Sequence, residues 1–279
     1  MKADCHIHMV LDGVDWKQAI HRHSIAPDEV FIRETLSRYT HLGYTYLRDG
    51  GDRWGVGAKA RELAKEYGIT YRTPLAPLCK TGHYGSFIGS TYETMEEYAD
   101  LVVKTRENGG NFIKIMISGL MDFHQFGVLT EVGLTQEEIS ELIHIAHEEG
   151  MAVMAHANGR TAYYAALAGV DSVEHGAYLD EETLHAMAET GAVWVPTLST
   201  VGNLRGTGRF PEREVSQILE SALKNVGKFF RMGGILASGT DAGAWAVPHG
   251  SATEETYFSM AGVGEAVLAY GLSVIQAKF

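Results

Sequence analysis

An amphipathic stretch at helical spacing, one glycine and a short apolar run follow one another seven times along the chain. The apolar runs are residues 44–47 after Gly43, 69–73 after Gly68, 111–117 after Gly110, 151–155 after Gly150, 170–173 after Gly169, 192–195 after Gly191 and 235–237 after Gly234. Residues 3–8 add an eighth strand at the start. A glycine at these junctions takes the left-handed conformation that ends a helix and turns the chain back into a strand. Helices are predicted at 27–41, 57–66, 92–107, 161–168, 180–190, 211–232 and 253–276. Another begins at the capping box Thr135-Gln-Glu-Glu138, carries Ile139, Leu142, Ile143 and Ala146 on one face, and ends at Gly150.

Strands that are apolar throughout, such as 112–117, belong where helices cover both faces of a parallel sheet. Eight strand-then-helix units predict an α/β fold of the (β/α)8 TIM-barrel type, one barrel domain over 1–279. The alternative is a doubly wound open sheet. No Gly-x-Gly-x-x-Gly follows the first strand, where a dinucleotide-binding sheet of that kind would carry one.

Composition agrees with a folded barrel: 279 residues, 45% apolar and 21% charged, suffice for one large core and exclude general disorder. No run approaches the roughly 18 apolar residues that span a bilayer, and MKADCHIHM lacks the apolar stretch of a signal peptide, so a cytoplasmic protein is expected. Two cysteines, Cys5 and Cys79, make no disulfide framework. A net charge of −12 argues against nucleic acid or anionic membrane as the main partner and for a small molecule or dipeptide. Thirteen histidines are many for this length.

Polar residues cluster where the strands end, the face on which a barrel does its chemistry. The first strand ends Asp4-Cys-His6-Ile-His8, the fourth contains Lys114, the fifth ends at His156, the sixth at Glu174-His175, and the eighth runs into Ser238-Gly-Thr-Asp241. His6 and His8, two apart on a strand, point to one side and can ligate one metal together. Taken singly, these histidines read more readily as structural than as ligands; convergence on one barrel mouth favours ligation. Lys114, among Phe112, Ile113, Ile115 and Met116, is costly to bury as an ammonium unless paired with Glu174 or Asp241, or modified. A neutral amine can add carbon dioxide to form an anionic carbamate.

This set, in this order, resembles the binuclear metal signature of the amidohydrolase superfamily. Thr45-Tyr-Leu-Arg-Asp-Gly-Gly51, Ile113-Lys-Ile-Met-Ile-Ser-Gly119, Ala155-His-Ala-Asn-Gly159, Gly169-Val-Asp-Ser-Val-Glu-His-Gly176 and Ser238-Gly-Thr-Asp-Ala-Gly243 are similar to the branch of imidazolonepropionase-like and prolidase-like proteins. The resemblance implies two divalent metal ions, zinc first on ligand type. His6 and His8 with Asp241 would hold one and His156 with His175 the other, with N-carboxylated Lys114 and a hydroxide bridging them. It implies cleavage of an amide bond by that hydroxide, of a dipeptide or N-acyl amino acid, with Asp241 as proton shuttle.

His83, in Thr81-Gly-His-Tyr-Gly85, resembles a glycine-flanked histidine of the pocket that donates to the oxyanion. Tyr84, Asn158, Arg160 and Arg48, at strand ends, are candidates to contact a substrate carboxylate, with Arg48 beside Asp49 equally an ion pair. His124 and His249 fall on loops at the mouth. His21, His23, His41, His144, His147 and His185 read as surface residues. Loops rather than metals set the substrate, so a cyclic amide, lactone or phosphoester is an alternative, as is a barrel that keeps its metals without turnover. Superfamily members usually carry a small β-sandwich from residues before the first strand and after the last helix. No residues are present for one here, so a sandwich-less barrel is expected, either a trimmed member or a piece of a longer chain. A first strand with hardly any residues ahead of it suggests support from a neighbouring subunit and hence a homo-oligomer.

Overall fold

The structure, a computed structural model, describes residues 2–279. Among them are ten strands: β1 Lys2–Ile7, β2 Tyr44–Asp49, β3 Thr70–Arg72, β4 Leu78–Lys80, β5 Ser90–Tyr92, β6 Ile113–Met116, β7 Val153–Ala157, β8 Ser172–His175, β9 Val193–Val195 and β10 Ile235–Leu236. The α-helices are α1 Trp16–Arg22, α2 Glu29–His41, α3 Val56–Ala64, α4 Met95–Glu107, α5 Gln136–Glu148, α6 Arg160–Leu167, α7 Glu181–Thr190, α8 Ser199–Gly202, α9 Glu212–Arg231, α10 Thr253–Met260 and α11 Glu265–Lys278.

Every strand pairing is parallel, in two ladders, β1–β2–β3 and β10–β9–β8–β7–β6–β4–β5. Backbone hydrogen bonds stitch the ladders together. Cys5 N donates to Ser238 O (2.9 Å), Asp241 N to His6 O (2.7 Å) and His8 N to Ala242 O (2.7 Å), which joins β1 to the chain after β10. On the other side Asn111 N donates to Thr73 O (2.9 Å), ahead of β6 and after β3. Eight strands therefore follow one another in a ring, β1-β2-β3-β6-β7-β8-β9-β10, in a TIM-barrel fold.

Strand alternation sorts the side chains. On β6, Ile113 and Ile115 join the core between sheet and helices, with Val153, Leu142, Trp194 and Phe229, while Lys114 faces the barrel interior. A smaller cluster of Cys5, Tyr46, Phe112, Met154, Val195, Ile275 and Phe279 closes the bottom of the barrel under α11.

Departures from the expected elements have local causes. The stretch expected to be one helix over 253–276 is α10 and α11, bent by 117°, because Gly262 takes a left-handed φ of +78° and Val263 N turns back to Phe258 O. α4 starts three residues later than expected because Thr94 and Glu97 form a capping box. β4 and β5 form a short insertion before α4, and α1 and α8 follow β1 and β9 at the C-terminal rim, too short to give a periodic signal. No single helix among the described residues is long and apolar enough to cross a membrane.

Candidate metal centre

The residues at the strand ends converge. β6 and β7 pair with Met116 opposite His156, so Lys114 and His156 step round the interior, and His175, paired with outward Ala157 at the end of β8, is turned into the mouth by a left-handed φ of +67°. Asp241 closes the ring beside β1. Its carboxylate lies 3.3 Å from His8 Nε2 and 3.5 Å from His6 Nε2. One ligating atom each from His6, His175 and Asp241 all fall within 4.8 Å of one another. Ring centroids are 5.4 Å apart for His6 and His8, 5.0 Å for His6 and His175, and 4.6 Å for His156 and His175. Glycine makes the room at one of these positions. A Cβ on Gly50 would stand 2.3 Å from His8 Cε1.

Burial sets the protonation of this cluster. It pushes His8 and His156 down to about 3 and holds His6 and His175 well below the ordinary imidazole value, so all four are neutral and can ligate. Burial also lowers Lys114 to about 8, against the opposing pull of Glu174 and Asp241, and raises Asp241 to about 8. His6 Nε2, His8 Nδ1, Lys114 Nζ and Asp241 Oδ1 are buried without a hydrogen-bond partner. Orphaned polar atoms are costly and rare. Four of them on residues of one barrel mouth, three nitrogens and a carboxyl oxygen, are donor types of a divalent metal site, and the residues fit one.

A surrounding layer orients the rings. Glu174 Oε2 meets His6 Nδ1 at 2.7 Å, which leaves Nε2 for a metal. Glu174 is held in turn by Arg48 (2.8 Å) and the Ser172 hydroxyl (2.6 Å), and Arg48 Nε also donates to Cys5 O (2.7 Å). Thr197 Oγ1 lies 2.7 Å from His175 Nδ1. His156 Nε2 sits 3.3 Å from Gly119 O, an acceptor shared with the Asn158 amide at 2.9 Å. His175, Thr197 and Asp241 all have left-handed φ, at +67°, +48° and +59°, the kind of backbone strain that collects at functional sites.

The other candidates separate. Tyr84 stacks 4.9 Å from His156 and lines the cavity above it. Asn158 also borders the cavity, but its side chain is engaged by Gly119 O and Ala177 N, so it braces the loops instead of presenting a free amide. His83 is not in the cavity lining: its turn directs it toward Glu131, 3.6 Å away, while the next residue points inward. Arg160, at the exposed start of α6, is paired with Glu182 (2.5 Å) and stacked on Tyr163, away from the cavity. Arg48 is buried against Glu174 rather than paired with Asp49. Of the mouth histidines, His124 lines the cavity, whereas His249 is buried between Tyr39 and Leu11 O. His23, expected at the surface, is buried and accepts from Asp28 N.

Sequence reasoning passed over Glu174, Arg48 and Thr197 as orienting groups, although the inward register of Glu174 two residues after Ser172 was a usable signal. It also passed over the cavity itself, about 590 Å3, whose lining includes Trp16 at the start of α1 and Phe87, Phe123, Phe210, Trp245 and Arg209 from loops with no periodicity.

Comparison with known proteins agrees with this architecture. Ochratoxinase of Aspergillus niger is 27% identical over 214 residues, 72% of this chain; the match spans 41% of that relative's length. The solved structure of A. niger ochratoxinase superposes with a TM-score of 0.76 at 22% identity, covering 96% of this chain and 68% of that one. A Xaa-Pro dipeptidase with methionine bound in its active site gives a TM-score of 0.75 at 21% identity, covering 99% and 75%. The family model described as Amidohydrolase family matches residues 59–271, and the chain belongs to that family.

Proposed function

We propose that this barrel is a metal-dependent hydrolase of an amide bond, in a dipeptide or an N-acyl amino acid with a free carboxylate. The observation that carries the reading is the group of orphaned, buried donor atoms on His6, His8, Lys114 and Asp241 at the barrel mouth of an amidohydrolase-family chain. His6, His8 and Asp241 would hold one divalent ion, zinc first, and His156 with His175 a second. Lys114 would lie between them as an N-carboxylated side chain. When bound, such ions supply Lewis acidity that polarises the scissile carbonyl and acidifies a water.

The chain's own residues supply the rest. A neutral Lys114 Nζ attacks carbon dioxide and releases a proton, which converts a buried amine into the anion that the cationic site favours. Glu174, held by Arg48 and Ser172, keeps the His6 proton on Nδ1. Asp241 accepts a proton from the attacking water and delivers it to the departing amine nitrogen, so that the amine leaves neutral. Its position within 3.5 Å of both His6 and His8 supports that role.

The test pairs elemental analysis with a substrate panel. The reading expects about two ions per chain and release of free amino acid from dipeptides or N-acyl amino acids, lost on chelation and restored by zinc. Two bound ions with cleavage only of lactones or phosphotriesters would replace the amide by those substrates. Metal without turnover of anything would leave a binding barrel.

A further inference from the structure

Glu254, buried on α10, has no part in the proposed cleavage, yet its contacts lead to a candidate ligand. Its two carboxyl oxygens are divided between consecutive amides: Leu198 N donates to Oε1 at 2.9 Å and Ser199 N to Oε2 at 2.7 Å, where the Ser199 hydroxyl also donates at 2.7 Å. Leu198 and Ser199 are buried too, so the carboxyl takes the place of water on those N–H groups. The two amides directly follow Thr197, whose φ of +48° is an outlier for a β-branched residue and whose hydroxyl lies 2.7 Å from His175 Nδ1. Such a backbone persists only where its surroundings fix it. On one side Thr200 N and Thr200 Oγ1 donate to Thr197 O, at 3.0 and 2.8 Å; on the other, Glu254 pins the next two residues. α10 sits hard against α8 here, since a Cβ on Gly202 would stand 2.0 Å from Tyr257 Cζ.

We infer that Glu254 is a positioning residue for the second ion, the one assigned to His156 and His175. By pinning residues 198 and 199 it holds Thr197 in its left-handed conformation, and the Thr197 hydroxyl in turn engages His175 Nδ1 and leaves Nε2 for the ion. A neutral amide of the same shape cannot replace it: Gln has one acceptor oxygen and would turn its NH2 toward the other backbone N–H. This inference rests on the two-ion reading and extends it to the outer helix layer.

The test measures zinc affinity by chelator competition, with the two binding steps resolved, in Glu254→Gln, Thr197→Val, the double variant and Val263→Ala. Val263, buried in the core just beyond the C-terminal end of α10, is the control for general loosening of that helix. Glu254→Gln and Thr197→Val are each expected to weaken the second zinc about tenfold and leave the first unchanged. The double variant is expected to be no weaker than Thr197→Val alone, because both changes act on one contact. Unchanged second-step affinity in Glu254→Gln, equal weakening in Val263→Ala, or effects that multiply to about 100-fold in the double variant overturns the inference. If the wild type binds fewer than two ions, the two-ion reading is what fails, and NMR of the His175 ring nitrogens in the metal-free protein then decides the positioning role. Signals moved alike by Glu254→Gln and Thr197→Val, and not by Val263→Ala, support it; signals unmoved by Glu254→Gln, or moved equally by Val263→Ala, overturn it.

Discussion

Replacing Glu174 by Gln tests how the barrel interior prepares its metal ligands. The Glu174 side chain is fully buried and uses both oxygens: Oε2 takes the His6 Nδ1 proton at 2.7 Å, and Oε1 takes Arg48 at 2.8 Å and Ser172 at 2.6 Å. Gln keeps the shape and one acceptor. Kept on Arg48 and Ser172, that oxygen leaves the amide NH2 facing His6 Nδ1, which must then become an acceptor and move its proton to Nε2, the atom a metal needs. Loss of such an orienting partner typically lowers metal affinity about 10- to 100-fold. The same change strips the charge partner from a buried guanidinium. Full removal of one partner of a buried pair costs about 3–5 kcal/mol, and because Gln retains one hydrogen bond we expect about 2 kcal/mol. Zinc affinity measured by chelator competition, with urea unfolding of the metal-free protein alongside, reads the two effects separately. Unchanged zinc affinity in a folded Glu174→Gln protein would refute the tautomer argument, and unchanged stability would refute the account of Arg48.

Gly50→Ala should push the His8 ring aside, since its Cβ would stand 2.3 Å from Cε1, with loss of one bound ion and about 1–3 kcal/mol of stability, checked by elemental analysis and thermal melting. Buried Glu254 accepts from Leu198 N, Ser199 N and the Ser199 hydroxyl, and burial raises it from 4.5 to about 8. The folded state therefore binds an extra proton between those values, and this group's contribution to stability falls as pH rises through the window. Glu254→Gln does not titrate, so urea unfolding should show the stability difference shifting toward the variant between about pH 5 and pH 8; a pH-independent difference would contradict it. Chelation of the loaded protein should lower its unfolding free energy by about 4 kcal/mol where free zinc had stood at roughly a thousand times Kd, seen as a drop in Tm that returning zinc reverses.

Much of the fold can be read along the chain because every barrel strand after the first is a short apolar run introduced by a glycine, and helical and extended periodicities alternate along most of it. The residues His6, His8, Lys114 and His156 share that legibility, since strand alternation aims them inward, whereas His175 and Asp241 are turned into the mouth by left-handed backbone that alternation does not foretell. What could not be read depends on loops and on partners far along the chain. The turn at Thr81–Gly85 decides that Tyr84 and not His83 faces the cavity. Arg160 starts a helix whose neighbour offers Glu182, and that carboxylate draws it outward. Arg48 finds Glu174 across the barrel, 126 residues away, instead of the adjacent Asp49. The aromatic lining comes from the start of α1 and from four separate loops, where no spacing marks one residue as facing the site.

A two-ion centre at this barrel mouth can be seen in a crystal. A crystal structure of the zinc-loaded protein, with anomalous scattering collected at the zinc edge, tests it most directly. Two peaks are expected, one bounded by His6, His8 and Asp241 and one by His156 and His175, with density for a carboxylated Lys114 between them. No peak at that mouth, or ions bound by other residues, would contradict it.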